Sequence, residues 1–152
     1  LITLYQITKY IVATTMELGQ NIVVINGFFT ISSHRNDGAA WGIFSGNMIF
    51  FYLITVFAIG LFYILLKDID FKQKPFYSYA IILMTAGGLG NFIDRVLFQE
   101  VVDFINIDLF SYTTFPIFNI ADICLVVGMI LFAFDVLFEE VLHGKNNRES
   151  AE

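Results

Sequence analysis

Two aspartates, Asp103 and Asp122, carry the chemistry that this sequence predicts. Asp122 lies in FPIFNIADICLVVG (115–128), where nearly every other residue is apolar, and Asp103 lies in EVVDF (100–104). In a shared apolar pocket, burial and mutual repulsion raise the pKa of one carboxyl, and the pair then holds a single proton. Such a pair can activate a water molecule while its protonated member donates to a carbonyl oxygen. This is aspartic-protease chemistry, and it requires neither metal nor cysteine.

Other polar residues are expected to lie at the same depth in the membrane as these two aspartates. Asn91, Asp94 and Arg95 end an apolar run in GNFIDR, and their spacings of three and four place them on one face of a helix. We interpret Asp94 as a structural residue that caps the helix or pairs locally with Arg95. Asn119, three residues before Asp122, either caps a helix start or orients that aspartate.

Each carboxylate also has an interpretation without catalysis. Asp122 could pair with Arg95 or face water at a helix end, although an ionisable residue inside a membrane segment is a functional candidate by default. Asp103 taken alone is typical of a solvated loop. Asp135 follows Asp122 by thirteen residues, about 20 Å along a helix, and is expected near the inner membrane face. The alternative function is therefore a small proton-coupled transporter or channel subunit that uses Asp122 and Asp135 as a proton path.

The composition indicates an integral membrane protein in one domain of 152 residues. Hydrophobic residues make up 57% and charged residues 14%, whereas soluble domains carry about a quarter charged residues. The apolar runs 48–66, 75–93 and 115–138 are each long enough for a helix to cross about 30 Å of hydrocarbon. The net charge of −6 argues against nucleic acid as a partner, and the single cysteine, Cys124, excludes an internal disulfide.

The elements outside these runs complete a predicted topology. Residues 1–16 are apolar but interrupted by Lys9, and we expect the end of a first helix whose beginning is absent, which gives four crossings. Five lysines and arginines lie in the loop 67–74 and the tail 143–152, against three on the other side, so both segments are predicted to be cytoplasmic. Residues 17–47, with the turn signal Asn26-Gly27, predict a small β-structure on the outer leaflet.

Four motifs in one order resemble the bacterial lipoprotein signal peptidases, also called signal peptidase II. They are HRNDGAAWGI (34–43), GNFIDR (90–95), EVVDF (100–104) and FPIFNIAD (115–122). Their order and spacing agree across nearly the whole chain, which makes the match specific where no single motif would be. The resemblance implies an all-α polytopic fold with four transmembrane helices and an extracytoplasmic β-cradle at about residues 17–47. It also implies an aspartic endopeptidase of the bacterial cytoplasmic membrane, with its active site near the outer face.

The resemblance also implies roles for individual residues. It makes Asp103 and Asp122 the catalytic dyad. The polar residues that it places around the dyad, as substrate-binding or supporting groups, are Asn36, Asn91, Arg95, Asn119, Gln6 and Lys9. One position departs from the family pattern, because the first motif of the family reads Asp-Gln-x-x-Lys and YQITK places Tyr5 where the aspartate belongs.

The implied substrate is a prolipoprotein whose lipobox cysteine carries a diacylglyceryl group. The implied reaction cuts the peptide bond just before that cysteine and releases the signal peptide. Membrane lipids are the other expected partner. No cofactor or metal is expected, and we predict a monomer.

Overall fold

The computed structural model describes residues 1–108 and 115–149, with side chains described as far as residue 138. Within these residues the fold consists of four α-helices, a three-stranded antiparallel sheet and two short 3₁₀ turns. The helices are α1 (Ile2–Thr15), α2 (Met48–Leu65), α3 (Pro75–Phe98) and α4 (Ile120–Glu149). The strands are β1 (Asn21–Ile25), β2 (Phe29–Asn36) and β3 (Val101–Ile107), and the 3₁₀ turns are Ala40–Gly42 and Leu66–Asp68. Residues 150–152 of the predicted cytoplasmic tail lie outside the described residues.

Three helices of the described chain are long and apolar enough to cross a membrane. They span Met48–Asp68, Pro75–Phe98 and Ile120–Phe138, with mean hydropathies of 2.6, 1.4 and 2.4. The prediction of a multi-pass, mostly helical membrane protein is therefore confirmed. At 14 residues, α1 is about 21 Å long, shorter than the roughly 30 Å hydrocarbon core, so the fourth crossing stays a prediction.

The third predicted run becomes helical later than its apolar composition suggests. It begins at residue 115, but α4 begins at Ile120. Pro116 has no backbone N–H for a helix or ladder, and the backbone of Phe118 pairs instead with Ile105 of β3. Phe118 N–H donates to the Ile105 carbonyl at 3.0 Å, and Ile105 N–H donates back at 2.7 Å. The extended segment before α4 is thereby joined to the sheet.

The sheet confirms one predicted feature and corrects another. The Asn26-Gly27 turn joins β1 to β2, with Gly27 in the left-handed region at φ 70° and Phe28 N–H donating to the Ile25 carbonyl. The third strand, β3, lies far along the chain, outside residues 17–47, and pairs with β2. The interpretation of Asp103 as a solvated loop residue was wrong, because β3 places it in the interior at 2% exposure.

Close contact between α3 and α4 fixes the start of α4 in place. A Cβ atom added to Gly87 would lie 2.5 Å from the carbonyl oxygen of Ala121 and 2.9 Å from Cγ of Leu125. That spacing leaves no room for a methyl group, so α3 requires glycine there to approach α4. The neighbouring Gly88 faces open space, with only Phe62 at 4.0 Å.

We therefore expect Gly87→Ala to destabilise the protein by about 1–3 kcal/mol, because the added methyl overpacks the helix interface. Gly88→Ala is the matched control and should be neutral or stabilising by up to about 1 kcal/mol, the gain in helix propensity. Thermal unfolding in detergent would compare the two. Equal melting temperatures for both variants would contradict this account of the interface.

Candidate functional site

Asp103 and Asp122 line one cavity of about 550 Å³ although they come from different elements. Asp103 is in the middle of β3, and Asp122 lies in the first turn of α4. A single residue, Asn119, contacts both carboxylates. Its Nδ2 donates to Oδ1 of Asp103 at 2.7 Å, and its backbone N–H donates to Oδ2 of Asp122 at 2.9 Å. The two predicted dyad residues are thus brought together.

Asn119 performs both of the roles that its sequence position suggested. Its Oδ1 accepts from the backbone N–H groups of Ala121 at 2.7 Å and Asp122 at 3.2 Å, which caps α4. The return bond from Asn119 N–H to the Asp122 carboxylate completes a reciprocal capping box. Because the same side chain also holds Asp103, the start of α4 and the middle of β3 are locked in one arrangement.

Asn91 is the second amide that holds Asp122. Its Nδ2 donates to Oδ1 of Asp122 at 2.7 Å. Its Oδ1 accepts from Lys9 Nζ at 2.8 Å and from Nδ2 of Asn119 at 3.1 Å. The carboxylate of Asp122 therefore has a donor on each oxygen, one from α3 and one from its own helix cap.

Asp103 is held by one amide on each oxygen. Asn36 Nδ2 donates to Oδ2 at 2.9 Å, while Asn119 holds Oδ1. Burial, and then the charge of Asp122, raise the pKa of Asp103 from 3.8 to about 6, against the lowering effect of the two amide hydrogen bonds. The carboxyl of Asp103 consequently retains its proton to higher pH than an ordinary aspartate does.

Asp94 has a structural role as predicted, but its partner is not Arg95. Its Oδ2 lies 2.8 Å from Nζ of Lys9, and the side chains of both residues are at most 3% exposed. The local pairing was wrong because Asp94 faces α1, from which Lys9 extends into the interior. A buried lysine needs a carboxylate partner, but one chain gives no spacing rule that joins residues 9 and 94.

Arg95 forms no ion pair with Asp122 in the described part of the chain. Its Nη2 donates to the Gly38 carbonyl at 3.0 Å, and its guanidinium lies 4.5 Å from the ring centroid of Phe51. Its Nε is buried and has no hydrogen-bond partner among the described residues. Arg95 lines the cavity beside both aspartates, so it is available to a group that enters there.

Gln6 and Lys9 do not line the cavity, and they contact α3 instead. Gln6 Nε2 donates to the Gly90 carbonyl at 2.9 Å, and Lys9 reaches the same oxygen at 3.4 Å. The ring of Tyr5 is fully buried beside Gly90 and packs in a cluster with Ala86 and Ala121. At the position that departs from the family motif, α1 therefore contributes packing instead of a charge.

The cavity has a polar floor and mostly apolar walls. Its polar lining residues are Asn36, Asn91, Arg95, Asp103 and Asp122. Its apolar lining residues include Phe51, Val101, Phe115, Pro116, Ile117, Phe118, Ile123, Leu125, Val126 and Val127. All of these polar residues were predicted from the sequence. The contributions of Phe51 and of the Gly38 carbonyl were not, because neither residue type indicates a functional site on its own.

The profile of the family described as Signal peptidase (SPase) II matches residues 1–138, a range that contains every residue of the polar cluster. The chain belongs to the signal peptidase II family. Lipoprotein signal peptidases of Staphylococcus aureus strains MRSA252 and JH9 are 54% and 53% identical over 133 residues, which are 87% of this chain and 80% of each relative.

Two solved structures have the same fold as this signal peptidase II family member. Their titles are "Bacterial membrane enzyme structure by the in meso method at 2.3 A resolution" and the same words at 1.9 A. The TM-scores are 0.81 and 0.77, each at 49% identity, over 91% and 90% of this chain and 84% and 86% of theirs. As a member of the signal peptidase II family, the protein is a peptidase with several membrane-spanning helices.

Proposed function

We propose that this protein is an aspartic endopeptidase that removes the signal peptide from diacylglyceryl-modified prolipoproteins by cutting just before the lipidated cysteine. The proposal rests on one observation: Asn119 forms hydrogen bonds to both Asp103 and Asp122 at a mainly apolar cavity. Family membership gives the reaction class, and the two carboxylates are the groups in the cavity that can act as acid and base.

In the proposed mechanism, a water molecule held between the two carboxylates attacks the scissile carbonyl carbon. The ionised aspartate takes a proton from the water, and the protonated one donates a hydrogen bond to the developing oxyanion. Collapse of the tetrahedral intermediate breaks the C–N bond, and an aspartate delivers a proton to the leaving amine. The products are a carboxylic acid and an amine, and the dyad again holds one proton.

The remaining site residues have separate tasks in this proposal. Asn36, Asn91 and Asn119 hold the carboxylates in position through the hydrogen bonds described above. Arg95 binds substrate backbone, because its guanidinium is a hydrogen-bond donor at the lining of the cavity beside both aspartates. Gln6 and Lys9 stabilise α3 by donating hydrogen bonds to its Gly90 carbonyl, on the side away from the cavity.

The apolar walls suit a substrate that carries acyl chains. Residues 115–118 and one side of α4 from Ile123 to Val127 form a continuous apolar wall beside Asp122. Since these residues belong to or adjoin a membrane-span candidate, diacylglyceryl chains can remain in the bilayer while the peptide reaches the dyad. The enzyme is a monomer in this proposal.

We further propose four crossings, with α1 contributing to the first. The loop 67–74 and the C-terminal segment face the cytoplasm, following the bias of lysine and arginine. The dyad then lies at the outer face, because Asp103 is on β3, just after the C-terminal end of α3, and Asp122 is in the first turn of α4. The sheet is extracytoplasmic and forms the cradle beside the dyad.

The proposal is tested with the protein reconstituted in liposomes and a prolipoprotein supplied in lipidated and unlipidated forms. We expect cleavage of the lipidated form and at least about a 100-fold lower kcat/KM for the other. The reason is that each buried CH₂ of an acyl chain contributes about 0.8 kcal/mol. Equal cleavage of both forms would contradict the substrate assignment, and no cleavage of either would contradict the function.

The pH dependence of cleavage should follow the shared proton. Because the pKa of Asp103 is about 6, raising the pH above that value removes the proton that the mechanism needs. We expect kcat/KM for the free enzyme to fall about tenfold per pH unit beyond the alkaline apparent pKa, which belongs to the pair. A kcat/KM series from pH 4.5 to 8.5 would show this limb, and a flat profile would argue against a proton-sharing dyad.

The transporter alternative depended on Asp135 as a second proton site. Asp135 Oδ1 accepts from Tyr77 N–H at 3.3 Å, at the N-terminal end of α3 and far along α4 from Asp122. This contact favours a role in holding the two helices together. No described contact extends a polar path between Asp122 and Asp135, and the contacts therefore favour the peptidase over the transporter.

A further inference from the structure

Asp94 is a buried carboxylate that the proposed mechanism does not use. It is 1% exposed and does not line the cavity, so it cannot touch substrate. Its carboxylate has two partners, the backbone N–H of Val102 at 3.2 Å and Nζ of Lys9 at 2.8 Å. Val102 is adjacent to Asp103, and Lys9 is connected to Asp122 through Asn91.

The first partner leads to Asp103. Val102 is the residue immediately before it in β3, and its backbone N–H is held by Asp94 from α3. A charge-assisted bond to a backbone N–H is stronger than a neutral one. Asp94 therefore fixes the strand on the helix at the position next to the first carboxylate.

The second partner leads to Asp122. The ammonium of Lys9 donates to Oδ1 of Asn91, and the amide nitrogen of Asn91 donates to Asp122. Because an ammonium is only a donor, it requires the oxygen of the Asn91 amide to face α1. The NH₂ group must then face the second carboxylate.

The pair also balances charge behind the dyad. Lys9 and Asp94 together add no net charge to a buried region. The charged and titratable groups around Asp103 are Asp122 of α4, Arg95 and Asp94 of α3, Lys9 of α1 and His34, its register partner on β2. Removal of either member of the pair would leave one uncompensated charge close to the dyad.

We propose that Asp94 and Lys9 act as a charge-neutral positioning pair that holds both dyad carboxylates and sets the charge of the region behind them. This inference rests on the proposed function. Asp94 then affects catalysis indirectly, through Val102, Lys9 and Asn91. It does not contact the substrate.

The test compares the pH profile of kcat/KM for Asp94→Asn, Lys9→Met and the double variant with wild type. Asp94→Asn leaves Lys9 uncompensated, which favours the ionised dyad, so the alkaline limb should move to lower pH by about one unit or more. Lys9→Met leaves Asp94 uncompensated, so the limb should move to higher pH by a similar amount. The alkaline limb of the double variant should lie close to that of wild type.

Glu17→Gln is the matched control, because it removes an acidic charge from an exposed residue and should leave the profile unchanged. If the single variants fold poorly, the double variant tests the inference. It should be better folded than either single variant, and the alkaline limb of its kcat/KM profile should lie at the wild-type pH. Limbs that do not move, or that move in the same direction in both single variants, would overturn the inference. Failure of the proposed function is distinct, because wild type would then cleave nothing.

Discussion

Asp103→Asn and Asp122→Asn are each expected to lower kcat for prolipoprotein cleavage by at least about a thousandfold. An asparagine can neither take a proton from water nor deliver one to the leaving amine, and general acid–base catalysis contributes about 10²–10⁴-fold. Loss of hydrogen-bond donation to the oxyanion adds to this effect. Single-turnover cleavage in liposomes at pH 6, with enzyme in excess, measures the chemical step directly.

The dyad variants must be folded for this result to count. Asparagine has the same shape as aspartate, so both variants should insert and should elute with wild type in size-exclusion chromatography. Appreciable cleavage by either folded variant would remove that residue from the dyad. Cleavage by both would remove the aspartic mechanism from this protein.

Asp103→Asn has a second expected effect, on stability. The pKa of Asp103 is raised from 3.8 to about 6 in the folded protein. Below pH 3.8 the carboxyl is protonated in both folded and unfolded states; as the pH rises through 6, the unfolded state ionises first and folding is penalised by up to about 3 kcal/mol. The melting temperature of the variant, relative to wild type, should therefore be higher at pH 7.5 than at pH 4. An unchanged difference would contradict the raised pKa.

Asn119→Ala should have the next largest effect, on both activity and stability. The change removes the α4 cap and the donors to Asp103 and Asn91. Loss of the cap costs about 1 kcal/mol, and each buried partner left unsatisfied costs about 1–3 kcal/mol. We expect a stability loss of about 3 kcal/mol and a fall in kcat of at least about a hundredfold, because Asp103 loses the side-chain bond that holds it beside Asp122, while the backbone N–H of residue 119 still donates to Asp122.

Asn47→Ala is the matched control for this experiment. Asn47 caps α2, with its Oδ1 accepting from Phe50 N–H at 3.2 Å, and it touches neither aspartate. It should lose about 1 kcal/mol of stability and keep its activity. Thermal unfolding and kcat measured on both variants would separate capping from support of the dyad. Equal losses of activity would contradict the bridging role of Asn119.

The helices of this fold could be predicted because membrane burial leaves a simple signal in one sequence. Without water, the backbone must form its hydrogen bonds within each segment, so an uncharged run of about 20 residues predicts a helix. Helix α2 begins at Met48 and α3 at Pro75, as the runs indicated. The start of α4 at Ile120 agrees with the interpretation of Asn119 as a cap but not with the apolar run, because apolar composition alone does not separate helix from the extended segment that pairs with β3.

The strand β3 and the Lys9–Asp94 pair could not be predicted, and for the same physical reason. Each depends on residues far apart along the chain, β2 with β3 and α1 with α3. Local patterns specify which face of an element is apolar, but not which distant element covers it. The Asn26-Gly27 turn, by contrast, was predictable because a tight hairpin needs residues that tolerate a positive φ.

For the candidate site, the residue types were predictable and their connections were not. A carboxylate in an apolar run indicated Asp122, its expected proximity to Asp103 made the two a pair, and the shared motifs made that pair a proposed protease dyad. The three-residue spacing between Asn119 and Asp122 predicted a cap. Only the folded arrangement brings that cap to Asp103, since the contact depends on where β3 passes.

The most direct test of the account is the mass of both products formed from a lipidated prolipoprotein by the reconstituted enzyme. One cut is expected, which leaves the diacylglyceryl cysteine as the new amino terminus and a released peptide ending at the residue before it. Asp103→Asn and Asp122→Asn enzyme should leave the substrate intact under the same conditions. A cut at another bond, or the same products from either variant, would contradict the account.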